Sequence, residues 1–257
     1  MALDRDWKAA FEQTYAGAPS PVAERVWRQV YGDEYPQGVD PYSCISVSEL
    51  ERIAAEVDVG EEQTIADLGC GRGGPGLWIA AATGARVIGI DISSNALDAA
   101  RQRADAMGLR ERAAFREGSF ESTGLPTNSV DGVISVDALL FTADKAAAIT
   151  ELRRVVRRGG RLVFTSWDYH RQPAGRPPQV SDHRPLLTAV GFDVLVYEET
   201  DDWRRRITET TAGLLENVEE LAAESGDDLA ETKADLEEMQ ATIDAMSRRI
   251  LVVAQAR

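Results

Sequence analysis

Two hydrophobic rhythms alternate along this chain. Short apolar runs bounded by turn residues read as buried strands, and longer stretches with apolar positions three or four apart read as helices. Trp7, Phe11 and Tyr15 fall at helical spacing within residues 2–16, and Trp27, Val30 and Tyr31 do so within 21–31, with Gly17-Ala18-Pro19-Ser20-Pro21 between them. A third helix is predicted over 47–57. From there strands at 64–68, 86–90, 113–117, 130–136, 161–166 and 192–198 are interleaved with helices at 75–83, 94–107, 143–157 and 183–190. That alternation predicts an α/β fold, a doubly wound, Rossmann-like parallel sheet covered on both faces.

The rhythm changes after residue 202. Leu214, Leu215, Val218 and Leu221 form one helical stripe, and Leu229, Leu236, Met239 and Ile243 a second, with Ser225-Gly226 between. Residues 203–247 therefore read as a helical hairpin inserted before an apolar strand at 248–257. The domain plan is an N-terminal helical cap (1–44), a core (45–202), the insertion (203–247) and a final strand (248–257).

Composition narrows the partners. The chain has 257 residues and a formal net charge of −15, which fits one large domain with an appendage and opposes binding to nucleic acid or anionic membrane. No apolar run is long enough to span a bilayer. The N-terminus, with Asp4, Asp6 and Glu12 and no apolar run, does not read as a signal peptide. The two cysteines, Cys44 and Cys70, make neither a disulfide framework nor a CxxC unit, so a reducing, cytoplasmic setting is expected.

The candidate chemistry sits at Gly69-Cys70-Gly71-Arg72-Gly73-Gly74, which satisfies GxGxG and GxGxxG at once. Glycine suits a strand-to-helix turn that needs positive φ and close approach of a ligand to the backbone. Asp91 ends the second strand 22 positions after Gly69, where a carboxylate can accept ribose hydroxyls. Asp67, two residues before the first glycine, favours a cationic ligand over a pyrophosphate.

This run resembles motif I of the class I S-adenosylmethionine-dependent methyltransferases. VIGIDIS resembles the family's second-strand acidic motif, REGSFESTGLP its adenine-contacting segment, and VDGVISVDALLFTADKAAAITELRRVVRRGGRLVFTSW its fourth-to-fifth-strand block, so the likeness covers roughly residues 45–200. Segments such as GRGGPGLWIA and GRLVFTSW are most similar to the ubiquinone-type and actinobacterial natural-product subgroup. The resemblance implies a seven-stranded sheet with an antiparallel last strand, S-adenosyl-L-methionine as cofactor, and methyl transfer to a small organic acceptor. It also implies that Asp67, Gly69, Cys70 and Gly71 frame the methionine moiety and that Asp91 holds the ribose. Ile92 would lie against the adenine, Ser119 and Phe120 would contact its edge, and Val136 would offer backbone carbonyl to the ammonium group. Many members carry a carboxylate where Ser119 stands.

Catalytic candidates must come from the loops at the carboxyl ends of the strands. His170, after the fifth strand, is the first choice for a general base, with Asp137, after the fourth, as the second. His183 reads as helix-capping context. Tyr15, Trp27, Tyr31, Tyr35, Tyr42 and Trp167 are candidates to line an acceptor pocket, with Tyr15, Trp27, Tyr31 and Trp167 foremost. No His/Asp/Glu cluster has the spacing of a divalent-metal site, so metal-independent chemistry is expected. Two other readings stay open: a nicotinamide-dependent oxidoreductase using the same glycine turn, though no Tyr-x-x-x-Lys pair is present, and a non-catalytic scaffold.

The negative charge is concentrated. Between Ile207 and Asp244 there are twelve acidic residues and one basic, Lys233, for −11, leaving −4 on the other 219 residues. The insertion is thus a candidate lid or a contact in a homodimer. Its charge reads either as a solvated outer face or as an acidic rim favouring a neutral or cationic acceptor.

Overall fold

A computed structural model describes residues 6–39 and 43–257. Its strands are β1 (Thr64–Leu68), β2 (Arg86–Asp91), β3 (Ala113–Glu117), β4 (Val130–Val136), β5 (Val156–Tyr169), β6 (Phe192–Glu199) and β7 (Met246–Ala256). They form one sheet in the order β3-β2-β1-β4-β5-β7-β6. The first five are parallel to their neighbours, and β7 runs antiparallel between β5 and β6. The chain leaves β1 toward β2 and β3, then returns to β4 on the other side. That reversal opens a crevice at the carboxyl ends of β1 and β4, where ligands bind in open α/β sheets.

Alternation along the strands divides the core. Leu68, Val133, Phe164 and Val252 face one side with Ile149, Leu152 and Leu187. Ile65, Ile134, Val163 and Val253 face the other with Leu50, Ile53, Leu77 and Ile79. Both faces are covered, which is why these strands read as nearly continuous apolar runs.

The helices are α1 (Trp7–Tyr15), α2 (Pro21–Tyr31), α3 (Val47–Val57), α4 (Gly74–Thr83), α5 (Ser94–Ala106), α6 (Lys145–Val155), α7 (Arg184–Ala189), α8 (Trp203–Glu216), α9 (Val218–Ser225) and α10 (Leu229–Ile243). Ser46 and Glu49 close a reciprocal capping box on α3, and Ser20, followed by Pro21, caps α2. Two expectations change. The insertion holds three helices, because α8 stops at Asn217, whose amide side chain bonds back to the Gly213 carbonyl at 2.7 Å. And β5 begins at Val156, so Gly159-Gly160 lies within a 14-residue strand instead of preceding it.

The insertion and the N-terminal helices grip one another. Arg25 of α2 donates to Glu220 of α9 at 2.7 Å, and Glu224 accepts from the Val22 amide at 3.2 Å and from the Ser20 hydroxyl. Val26, Leu214 and Leu236 pack beneath, joined by Trp27 and Val30. Eleven of the twelve acidic side chains between 207 and 244 are solvent-exposed and Glu238 is half-buried, so most of this charge faces water. No helix among the described residues is long and apolar enough to cross a membrane.

Candidate active site

The glycine turn leaves β1 along a left-handed path, with φ of 68° at Gly69, 51° at Gly71 and 76° at Gly73. The amides of Gly69 and Cys70 both donate to the carbonyl of Ile90, at 2.8 and 3.2 Å, fixing the turn against β2. Space as well as φ demands glycine here: a Cβ on Gly71 would lie 2.8 Å from the hydroxyl of Tyr15, and one on Gly76 would lie 2.5 Å from Oδ2 of Asp67. Cys70 turns its thiol into the sheet beside Gly89, and burial pushes that thiol well up, so this residue offers the site only backbone.

Two buried carboxylates flank the turn. Asp67 accepts one hydrogen bond, from the Gly76 amide at 3.1 Å, and burial, with a smaller contribution from Asp91, pushes it up to about 7. Asp91 accepts from the Gly71 amide at 2.8 Å and the Ser93 amide at 2.9 Å; burial still raises it against the pull of those amides. Ile92 follows, half-buried. Phe120 brings its ring to 3.4 Å from the position of a Cβ on Gly69. Ser119 uses its amide and hydroxyl in a turn with Ser122, at 3.0 and 3.2 Å, so its side chain is committed locally.

The cavity among these groups is ≈ 50 Å³, lined by Asp67, Gly69, Gly71, Val136, Tyr15 and Ser43 among others. Small-molecule sites occupy roughly 300 Å³ or more. α1 lies over the glycine turn and brings Tyr15 into the lining. Glu12 anchors α1 by accepting from the Ser94 and Asn95 amides at 2.8 and 3.1 Å and from the Ser93 hydroxyl at 3.0 Å. Those donors, the two amides foremost, hold its carboxyl down at about 2. Trp7 and Phe11 extend the roof, meeting Phe141 with ring centroids 4.9 and 5.0 Å away.

The two catalytic candidates are displaced from their expected roles. Asp137, at φ 52°, accepts from the Cys44 amide at 2.9 Å, the Thr165 hydroxyl at 2.7 Å, and Nε and Nη2 of Arg249 at 3.0 Å each. Arg249 is 1% exposed and also reaches Glu49 and Thr200. A carboxylate occupied on both oxygens by a buried guanidinium is a strut, not a base. His170 is exposed and is absent from the cavity lining; only its backbone is engaged, donating to the Ala245 carbonyl at 3.1 Å. His183 does stand at the start of α7, but its ring makes no cap. It is fully buried, with Nδ1 3.1 Å from Asp168, which also accepts from Tyr197 at 2.7 Å and Arg248 at 2.8 Å. Burial opposes ionisation of Asp168, yet these donors together hold it below the usual carboxylate range.

Of the aromatic candidates among the described residues, only Tyr15 lines the cavity. Trp27 belongs to the joint between α2 and the insertion, its indole donating to the Ser43 carbonyl at 3.3 Å. Tyr31 is buried beneath Arg206, 5.1 Å from its ring centroid, and Tyr35 beneath Arg28 at 4.8 Å. Trp167 is buried beside Arg249, in a cluster with Tyr169, Leu140, Ile207 and Met246. Tyr42 lies outside the described residues. Sequence reasoning missed Glu12 and Arg249; a charged pair, Arg248-Arg249, opening an apolar strand was the available signal for the latter. Among the described residues no group of three or more His, Cys, Asp or Glu side chains is placed to hold a metal ion.

A topological switch point, a left-handed glycine turn and an acidic residue at the tips of β1 and β2 give this crevice an arrangement similar to that of class I S-adenosylmethionine-dependent methyltransferase domains. Residues 66–164 match the family described as Methyltransferase domain. Methyltransferase GfsG of Streptomyces halstedii is 32% identical over 129 residues, 50% of this chain and 46% of that protein. Methyltransferase phqN of Penicillium fellutanum is 33% identical over 179 residues, 62% of this chain and 55% of that protein. The chain thus spans about half the length of these curated relatives. Among solved structures, the [4+2]-cyclase SpnF superposes with a TM-score of 0.74 at 21% identity, covering 96% of this chain and 92% of that one. That likeness is one of fold alone, and chemistry has to be argued from the site.

Proposed function

We propose that this protein transfers a methyl group from S-adenosyl-L-methionine to a small organic molecule, a secondary metabolite, without a metal ion. The observation that carries the reading is the pairing of Asp67 and Asp91, two buried carboxylates on either side of the glycine turn. A dinucleotide would bring a pyrophosphate against Asp67, and like charges in a buried site repel, whereas Asp91 can serve the ribose of either cofactor. A ligand bearing an ammonium and a sulfonium group relieves Asp67, which fits the donor set. The cradle left by Gly69 and Gly71 fits close backbone approach.

The cofactor, when bound, supplies an electrophilic methyl group. The chain's residues bind, orient and exclude water. Asp91 is placed to exchange its amide partners for ribose hydroxyls, Asp67 to face the cationic end, and Val136 to offer its carbonyl. Ile92 and Phe120 stand where they can flank the adenine, and α1 closes over the whole, placing Tyr15 on the turn. With no base among the candidates, catalysis rests on holding the nucleophile in line with the methyl carbon in a water-poor site.

Calorimetric titration with S-adenosylhomocysteine tests this. Binding at micromolar level, lost in Asp91→Ala while the fold persists, is the expected result. Binding of NADH in its place would overturn the assignment.

A further inference from the structure

A second cavity lies at the opposite end of the sheet from the glycine turn, beside the amino ends of β4 and β5. It measures ≈ 390 Å³, within the range of roughly 300–1,000 Å³ that small-molecule sites occupy. Its lining comes from the 127–128 turn before β4, the last turns of α6, Arg158 of β5 and Val190 after α7. Three of the lining residues are arginines and none is acidic.

The three arginines are held differently. Arg154 is committed: Nε donates to Glu151 at 2.6 Å, Nη2 to the Leu125 carbonyl at 2.7 Å and Nη1 to the Thr127 hydroxyl oxygen at 3.1 Å. Arg153 donates through Nη2 to the main-chain oxygen of Arg257 and lies 6.0 Å from the ring centroid of Phe192. Glu151 thus offsets one charge, and the Arg257 oxygen engages a second. Arg158 is exposed, and its guanidinium has no hydrogen-bond or ion-pair partner among the described residues. The carboxylate of Asp131 pairs with Arg157 and leaves Arg158 uncompensated.

The neutral groups agree in sign. The Thr127 oxygen accepts from Arg154, so its own hydrogen is available to donate. The side-chain amide of Asn128 has no partner among the described residues, while its backbone, at φ 51°, donates to the Arg154 carbonyl at 2.9 Å. Thr150 spends its hydrogen on the Ala146 carbonyl at 2.7 Å and, with Val190, gives the cavity apolar surface. Carbonyls at the end of a helix repel anions, but those of α6 are occupied. Leu152 accepts from the Val156 amide, and Val155 from the Ser129 amide at 2.9 Å.

We infer that this cleft is a second binding site, for a small molecule carrying a phosphoryl group, separate from the cofactor crevice and independent of the methyltransferase reading. A guanidinium fork takes two phosphate oxygens at once, and a tetrahedral group keeps further oxygens for Thr127 and Asn128. A carboxylate on the same fork has no third oxygen to offer them. An ammonium ligand would meet no carboxylate in the lining. The volume leaves room beyond one phosphate, so the ligand is an ester or a diphosphate.

The test follows the amide chemical shifts of the isotope-labelled full chain during titration with inorganic pyrophosphate, ribose 5-phosphate and malonate. Both phosphates are expected to shift the amides of 127–128, 150–154 and 158 saturably, with half-saturation at about 1 mM or below, and to leave 67–71 unmoved. Malonate should bind about tenfold more weakly. Arg158→Ala should weaken pyrophosphate by about tenfold, the scale of a hydrogen bond to a charged group, and Arg158→Lys by less, because the charge stays while the fork goes. The thermal midpoint should not move in either variant, since the side chain is exposed and unpaired. Arg110→Ala, at an exposed arginine after α5, should leave the titration unchanged. No saturation by about 10 mM, malonate binding as tightly as pyrophosphate, or equal losses in Arg158→Ala and Arg110→Ala overturns the inference. So does a response confined to vesicles containing phosphatidic acid, which would assign the arginines to a lipid surface.

Discussion

Glu12 sets its carboxylate over the first turn of α5, 2.8 Å from the amide of Ser94 and 3.1 Å from that of Asn95. Those amides have no partner within their own helix, and their partial positive charge suits an anion. One side chain of the roof thereby completes the cap of a core helix. The contact ties α1, whose Tyr15 lines the cavity, to the core beside it.

Glu12→Gln keeps the shape and removes the charge. Amide hydrogen exchange across residues 7–15 should accelerate by about tenfold, and S-adenosylhomocysteine should dissociate faster. The effect has a pH counterpart. The folded-state value is depressed to about 2, so the contribution is present above the ordinary carboxyl range and is lost as pH falls toward 2. In the wild-type chain, protection across 7–15 relative to the intrinsic exchange rate should fall over that acid window, and in the variant that protection should not change there.

Asp67 titrates in the opposite sense. Its folded-state value is raised to about 7, so without ligand a substantial fraction is protonated at neutral pH. A cationic cofactor favours the ionised form, and its affinity should therefore climb as pH rises from 6 to about 7 and level off above. Calorimetry in buffers of different ionisation enthalpy should show proton release on binding near pH 7. The Asp67→Asn variant should bind weakly with a flat profile.

Asp137→Asn should register in stability. It strips half of a buried ion pair and leaves Arg249, 1% exposed, without its bidentate partner. A loss of about 3–5 kcal/mol is expected, or a fall of roughly 10 °C in thermal midpoint. The acid limb of a pH–rate profile measured below that midpoint should not move. A shifted limb with unchanged stability would restore Asp137 as a base.

His170→Ala should leave kcat/KM within about twofold. Its ring is exposed, and the structured part of this residue is its backbone amide, which donates to Ala245. His183→Ala should cost stability, because the ring is fully buried against Asp168 and 5.7 Å from Phe164. Thermal melts of the two variants side by side separate the histidines.

The sheet was legible because its signals are local. Each strand is a short apolar run, and the glycine turn carries φ requirements that few other residues meet. Asp67 and Asp91 were legible as carboxylates flanking the glycine turn because strand tips fix where they point. The roles of Asp137 and His183 were not, since each depends on a partner far along the chain: Arg249 lies 112 positions from Asp137 and Asp168 lies 15 from His183. Glu12 was hidden for the same reason, meeting Ser94 at a separation of 82. Trp27 shows the converse error, in which an aromatic at helical spacing served a joint between two helices and not a ligand.

The position of β7 has a kinetic cost. It lies between β5 and β6 yet is synthesised after both, and after the three helices of the insertion. Until it arrives, two apolar strands each present an unpaired inner edge, the template on which misassembly between chains begins. The vulnerable interval in making this protein is therefore the time taken to build about fifty residues beyond β6, and the charge of the nascent insertion, twelve acids against one lysine, would keep neighbouring chains apart while it lasts.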